Sequence, residues 1–286
     1  MRQLPKCAFL ALPNRCMNST ATRPIGIFDS GIGGLTVAHQ LARLMPGEDL
    51  IYFGDTAHLP YGDKSTAAIQ AYSVKICNLL ISQNVKAILI ACNSASAAAY
   101  ELVKEYVASK ALVFNVIDPV VEAVIRKYPG KTIGLIGTKQ TVFSNIFKRK
   151  IDEANCGIEL KSLATPLLAP MIEEGFFNNK ISLNVIEQYL SSPELDGIEA
   201  LILACTHYPL IAPQIREFYG NRVEVIDSSI MVASSVKENL ESLALQKGAG
   251  NGSHKFYVSD FTPAFENATQ IFFTDKVQLQ HYPLWD

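Results

Sequence analysis

Short apolar runs alternate with amphipathic stretches along most of this chain. Ile25-Gly26-Ile27-Phe28 reads as a buried strand, and the glycine-rich residues 29–34 as a tight turn. Leu35, Ala38, Leu41, Ala42 and Met45 recur at helical spacing, and Pro46 ends that helix. A second strand follows at residues 50–53, then a polar loop over 54–63 that contains Pro60-Tyr61-Gly62. Residues 65–83 are predicted helical, residues 85–91 form a strand that delivers Cys92, and residues 94–106 a strong helix. A strand at 113–117 closes this first series.

At residues 131–138 the sequence restarts the strand–glycine–hydroxyl pattern of residues 25–30. The second series runs to residues 201–209, where the apolar Leu201-Ile202-Leu203-Ala204 ends in Cys205, Thr206 and His207. Tyr208-Pro209 then opens a helix reaching residue 218. Further along, a strand is predicted at 223–226, a loop at 244–253, a strand at 255–261 and a helix at 264–273. The two Ala-Cys motifs, at Cys92 and Cys205, lie 113 residues apart, and the strand glycines Gly26 and Gly134 lie 108 apart. Offsets this similar predict two pseudo-symmetric α/β domains with mainly parallel sheets and a site in the cleft between them. The expected boundaries are residues 23–115 with 226–286 for the first domain, and 116–225 for the second. Ligands of parallel sheets sit beyond the carboxyl ends of the strands, and Asp29, Cys92, Thr138 and Cys205 all fall at such ends.

Composition narrows the class. Hydrophobic residues make up 49% of the 286, enough for a well-buried core. Lys and Arg total 25 against 27 acidic residues, and this balance leaves no basic footprint for nucleic acid and no polybasic membrane patch. No apolar window is long enough to span a bilayer. The six cysteines are scattered without a C-x-x-C pair, a usage that fits a reducing cytosol better than a disulfide framework. Residues 1–22 hold one short apolar patch, interrupted at Pro13-Asn14-Arg15, and are expected as a disordered tail. His281-Tyr282-Pro283 repeats the tripeptide at 207–209 without a preceding strand and is set aside.

A cysteine one step before a helix gains from exposed N–H groups and the helix dipole, which favour thiolate over thiol. Cys92 precedes the helix at 94–106, and Cys205 precedes one with Pro209 in its first turn, where proline is tolerated. One such cysteine is more often an inert small hydrophobe at a strand end. Two in matched contexts, each followed by polar groups, favour chemistry. Asp29 and Ser30 serve equally as a helix cap or as part of a site whose turn offers N–H groups to a carboxylate. The glycine spacing is neither a dinucleotide fingerprint nor a P-loop. His207 reads as a satisfied core histidine or as a proton-exchanging group two residues from Cys205. Glu173 and Glu174 read as a solvated helix face. Two facing thiols suit the inversion of a stereocentre that bears a hydrogen, because one face needs a base and the other an acid. Asn93, Ser94, Thr206 and nearby backbone N–H groups would support the carboxylate of the carbanion so formed. A zinc hydrolase on Cys92, Cys205 and His207 is a rival of another class, although Cys-x-His lacks the usual zinc spacing. A non-catalytic amino-acid-binding module is the third reading.

These motifs resemble those of the glutamate racemases in the cofactor-independent aspartate/glutamate racemase superfamily. The similar stretches are IGIFDSGIGGLTV at 25–37, GDTAHLPYGDKS at 54–65, ILIACNSAS at 88–96, GLIGTKQT at 134–141 and LILACTHYPL at 201–210. KFYVSDFTPAF at 255–265 is a looser match. The resemblance implies Cys92 and Cys205 as the two proton donors and acceptors, Cys92 toward D-glutamate and Cys205 toward L-glutamate. Asp29 and His207 would each assist the nearer thiol. It implies substrate contacts from Asp29, Ser30, Pro60, Tyr61, Gly62, Asn93, Ser94, Thr138, Thr206 and His207, and from Glu173. It also implies no cofactor, no metal, a cytoplasmic homodimer and a supply of D-glutamate for peptidoglycan. Ser94 departs from the family's usual threonine, keeping the hydroxyl and losing a methyl. Aspartate-specific relatives, the nearest alternative, typically carry glutamate in place of His207, so glutamate is the expected substrate. The tail before Pro24 is similar to that of members activated by a cell-wall precursor, which makes such an activator an expectation of the same kind.

Overall fold

The structure is a computed structural model that describes residues 20–220, 222–261, 269 and 277–286. Strands β1 (Ile25–Asp29), β2 (Leu50–Gly54), β3 (Ala87–Ile90) and β4 (Leu112–Asn115) carry helices α1 (Leu35–Leu44), α2 (Thr66–Ser82) and α3 (Asn93–Val107) between them. Helix α4 (Asp118–Lys127) leads to a second series, β5 (Thr132–Gly137), β6 (Glu159–Ala164), β7 (Ala200–Ala204) and β8 (Glu224–Ile226). Its connections hold α5 (Lys139–Phe143), α6 (Ile146–Glu153), α7 (Leu168–Glu173), α8 (Lys180–Leu190) and α9 (Ala212–Tyr219). Helix α10 (Ser228–Ser242) then returns the chain to β9 (His254–Val258) and β10 (Leu279–His281).

Among the described residues two sheets result, ordered β10-β9-β2-β1-β3-β4 and β6-β5-β7-β8, and every pairing there is parallel. In each series the first strand lies between the second and third, with the fourth outside the third. The same order thus occurs twice. Parallel strands need crossover helices, and these cover both faces of a sheet. That is why β1, β2, β3 and β7, buried at every position, read as unbroken apolar runs. One hydrophobic core joins Ile27, Leu35 and Leu89 to Ile136, Leu203 and Leu240, so it runs continuously between the sheets. The outer face of the first sheet is covered by Ile76, Leu80 and Val103, and that of the second by Val121, Val124 and Phe147. Helix α10 packs against both α1 and α4.

Register decides where the chemistry emerges. Phe28 pairs with both Phe53 and Ile90, so Asp29 and Cys92 leave the first sheet at one edge. Gly137 pairs with Ala164 and Ala204, which puts Thr138 and Cys205 side by side at the edge of the second. Two local expectations need correction. Tyr208-Pro209 opens a 3-10 turn, Tyr208–Ile211, and α9 begins only at Ala212. His281 lies in β10, which pairs with β9; three residues are too short a run for periodicity to reveal. The helix expected at 264–273, apart from Thr269, and residues 1–19 of the expected tail lie outside the described residues. Among those described, no helix is long and apolar enough to cross a membrane.

A buried ion pair pins the opposite ends of these strands. Lys86 Nζ lies 2.6 Å from Glu48 Oε2, with side chains 0% and 1% exposed. The same ammonium donates to the carbonyls of Ala21 (2.7 Å) and Leu245 (2.8 Å), while Glu48 accepts the Lys247 N–H (2.7 Å). All three ammonium protons are used, and the start of β3 is tied to the turn before β2 and to the segment after α10. Lys86→Met strands a buried carboxylate and is expected to cost about 3–5 kcal/mol in urea unfolding. Adding Glu48→Leu is expected to restore most of that loss. A single variant as stable as the parent would refute the pin.

Candidate active site

Between the carboxyl ends of the two sheets lies a small cavity. Ser30, Pro60, Tyr61, Gly62, Cys92, Asn93 and Ser94 line it from the first sheet; Thr138, Ala169, Glu173, Cys205, Thr206 and His207 line it from the second. Asp29 stands behind this lining, fully buried. Its Oδ2 accepts the Gly34 N–H at 2.8 Å, so that N–H of the glycine-rich turn serves Asp29 itself and not a ligand carboxylate. Its Oδ1 has no protein partner.

The two halves meet closely around the cavity. Ser94 Oγ and Thr138 Oγ1 are 2.8 Å apart across it, and Thr36 Oγ1 donates to the Thr206 carbonyl at 3.1 Å. A Cβ on Gly33 would lie 2.6 Å from Nδ1 of His207 and from Oγ1 of Thr206, and one on Gly62 would lie 2.7 Å from Thr138 Cβ. Only glycine fits at these two points of approach. At the rim, Lys139 pairs with Asp63 (3.1 Å) and Gln140 donates to Thr66 Oγ1 (3.1 Å).

Cys92 is the N-cap of α3, in extended conformation, and its sulfur accepts the Ala95 N–H at 3.4 Å. The thiol donates to Ser30 Oγ at 3.6 Å. Burial, and after it the charge of Asp29, push the Cys92 thiol up to about 12, against the pull of the Ala95 and Ser30 hydrogen bonds. The thiolate expected from the helix terminus is therefore not the resting form: at 5% exposure desolvation outweighs the dipole. Asp29 is also raised by burial, although His207 and the Gly34 N–H oppose this. At Cys205 the helix-terminus argument lapses, because a 3-10 turn follows.

Cys205 has a different neighbour. Its sulfur lies 3.5 Å from His207 Nδ1, and His207 Nε2 lies 2.8 Å from Glu173 Oε1. Burial works against charge on this ring, but Glu173, and then Cys205, outweigh it and hold His207 well above the usual histidine range. The balance favours the protonated ring. The solvated-face reading suits Glu174, which is exposed, and fails for Glu173, whose side chain is 11% exposed and ion-paired.

Tyr61 offers its ring to the cavity while its hydroxyl turns back to Asp55 Oδ2 at 2.6 Å. Asp55 escaped the sequence reading as part of a polar loop; its signal was its place just beyond β2, where the neighbouring β1 ends in Asp29. Ala169 was missed too, and an alanine wall carries no chemical signal. Asn93 is buried, and neither atom of its amide has a protein partner. Among the described residues, no three His, Cys, Asp or Glu side chains are grouped to hold a metal ion, so the zinc reading has no ligand set among them.

Comparison with known proteins agrees in fold and in motif. A family model described as Asp/Glu/Hydantoin racemase matches residues 34–236. Glutamate racemase 3 of Caldanaerobacter subterraneus is 37% identical over 255 residues, covering 89% of this chain and 92% of that protein. Glutamate racemase of Streptococcus pneumoniae is 35% identical over 264 residues, 92% of this chain and 99% of the other. The crystal structure of glutamate racemase from Francisella tularensis in complex with D-glutamate superposes with a TM-score of 0.86 at 39% identity, over 93% of this chain and 99% of that one. With its two parallel sheets, its paired strand-end cysteines and these relatives, the chain belongs to the Asp/Glu/Hydantoin racemase family.

Proposed function

We propose that this protein is a glutamate racemase that moves the α-proton of glutamate between Cys92 and Cys205 without a cofactor. The observation that carries the reading is the pair of thiols at topologically equivalent strand ends, lining one cavity from opposite sheets. Racemisation needs a base on one face of the α-carbon and an acid on the other. From L-glutamate, the Cys205 thiolate takes the α-hydrogen as a proton, leaving the C–H electron pair on the α-carbon and its carboxylate. The Cys92 thiol then gives its proton to the opposite face and becomes the thiolate. In reverse, Cys92 takes the proton from D-glutamate and Cys205 returns one. The roles of the partners follow from their charge. Burial makes Cys92 hold its proton firmly, which suits the acid of the L-to-D direction. Asp29, buried beside it with a free oxygen, serves as the relay that accepts this proton when Cys92 must act as base. His207, whose protonated form Glu173 favours, can only donate: its Nδ1–H faces the Cys205 sulfur and stabilises the thiolate when Cys205 must act as base. Ser30, Pro60, Tyr61, Gly62, Asn93, Ser94, Thr138 and Thr206 are proposed to contact the substrate. The Asn93 and Ser94 N–H groups open α3 at the cavity, where a helix N-terminus favours an anion.

The arrangement into two domains with the boundaries given above belongs to the same proposal, as does the preference for glutamate over aspartate. Homodimer formation, cytoplasmic location, D-glutamate supply for peptidoglycan and activation by a cell-wall precursor rest on the family resemblance.

Incubation with L-glutamate in D₂O, with no cofactor added, is expected to yield D-glutamate deuterated at the α-carbon. Aspartate in the same assay is expected to turn over far more slowly. Cys92→Ala and Cys205→Ala are each expected to lower kcat by about a hundredfold or more, the scale of a lost general acid or base. Full activity in both variants would end the two-thiol mechanism.

The pH profile tests the His207–Glu173 pair separately. Glu173 raises the imidazolium pKa, so removing its charge lets the proton leave at lower pH. In Glu173→Gln the alkaline limb of the kcat/KM profile is expected to move toward neutral pH. A limb that stays in place would exclude His207 as the titrating group.

A further inference from the structure

The ring of Tyr61 faces the cavity, but its hydroxyl is anchored in a second polar cluster that none of the chemistry above uses. Asp55 is completely buried at its centre. Its Oδ2 accepts from Tyr61 Oη at 2.6 Å and from His58 Nδ1 at 3.0 Å. Its Oδ1 accepts from Ser259 Oγ and from Trp285 Nε1, both at 2.7 Å. Four donors drawn from three stretches of the chain converge on one acceptor. Such bonds to a carboxylate are the strong ones, and each partner narrows the positions open to the group.

Trp285 is fixed to this cluster by more than its N–H. Its ring meets His58 edge-on at 4.4 Å and Tyr72 at 5.4 Å, and the Lys75 ammonium lies 4.5 Å above it. Just before it, Tyr282 packs edge-on against Phe53 and Tyr257, which docks the segment on β2 and β9. The loop after β2 is stitched down from the same side. Ser259 Oγ accepts the Ala57 N–H at 3.0 Å, and Asp260 N–H donates to Thr56 Oγ1 at 2.9 Å. Residues 55–61 therefore reach the cavity with their backs held by residues 259–260 and 282–285.

We propose that Trp285 is a positioning residue for substrate binding: residues 282–286 act as a strap that holds Asp55, and through it Tyr61, at the cavity wall. The strap touches neither sulfur, so it acts on how tightly the substrate is held and leaves proton transfer alone. This rests on the racemase reading for its kinetic readout only. Trp285→Phe keeps a ring in place and deletes the N–H. The expected result is a rise in KM of about tenfold for both enantiomers, the scale of one hydrogen bond to a charged group, with kcat within about twofold. Tyr61→Phe removes the bond through which the strap acts. In the double variant, the two effects on KM are therefore expected to fall well short of their product.

The sequence holds one tryptophan, so the emission of the unaltered protein reports on the strap directly. Saturating glutamate is expected to shift or quench it. An unchanged KM in Trp285→Phe, or fully multiplicative effects in the double variant, would overturn the proposal. Should Trp285→Phe not fold, emission unmoved by saturating glutamate overturns it instead. Emission that responds to glutamate in a protein that racemises nothing would support the strap and sink the racemase reading. Racemisation with an unaltered KM in Trp285→Phe would sink the strap alone.

Discussion

The whole site depends on how closely two sheet edges approach one another. Ser94 and Thr138 hydrogen-bond across the cleft at 2.8 Å, and Gly33 lies against His207 with no room for a Cβ. This closeness does more than bring two thiols to one cavity. It strips water from Asp29 and Cys92, and that desolvation is the largest influence on both. In a wider cleft the helix N-terminus and the neighbouring N–H groups would decide the state of Cys92; in this one burial does. Packing and proton chemistry are therefore one constraint, with the glycines at its contact points.

The fold was legible because parallel strands covered on both faces leave an unbroken apolar run, as in β1, β3 and β7. The near-equal offsets between the two series pointed to a repeated α/β unit as well, though not to its strand order. What escaped was short or held from a distance. β10 spans three residues, and its partner β9 lies more than twenty residues earlier, so no local pattern marks it. The turn at Tyr208 looked like a helix start because Pro209 suits either a 3-10 or an α first turn.

Within the site, residues with reactive groups at strand ends announced themselves. Glu173 did so only through family resemblance, since a Glu-Glu pair on a helix ordinarily faces solvent, and its bond to His207 spans 34 positions. Asp55 and Trp285 are 230 positions apart, and neither residue type implies the other. The thiolate expectation failed for a physical reason. Helix position can be read from sequence, whereas the depth of burial that opposes it depends on the facing half of the molecule.

The twin strand orders set Cys92 and Cys205 at equivalent points, yet their surroundings are unlike: a carboxylate and a serine at one, a histidine–carboxylate pair at the other. For mirror-image reactants this inequality has a strict limit. Two enantiomers have the same free energy in water, so the equilibrium constant is one, and kcat/KM must be equal in both directions whatever flanks each sulfur. Unlike flanks can alter only how that common ratio divides. The direction whose ground state is held more tightly must turn over more slowly, in proportion. The asymmetry of the site is thus a matter of kinetics, and handedness gains nothing from it at equilibrium.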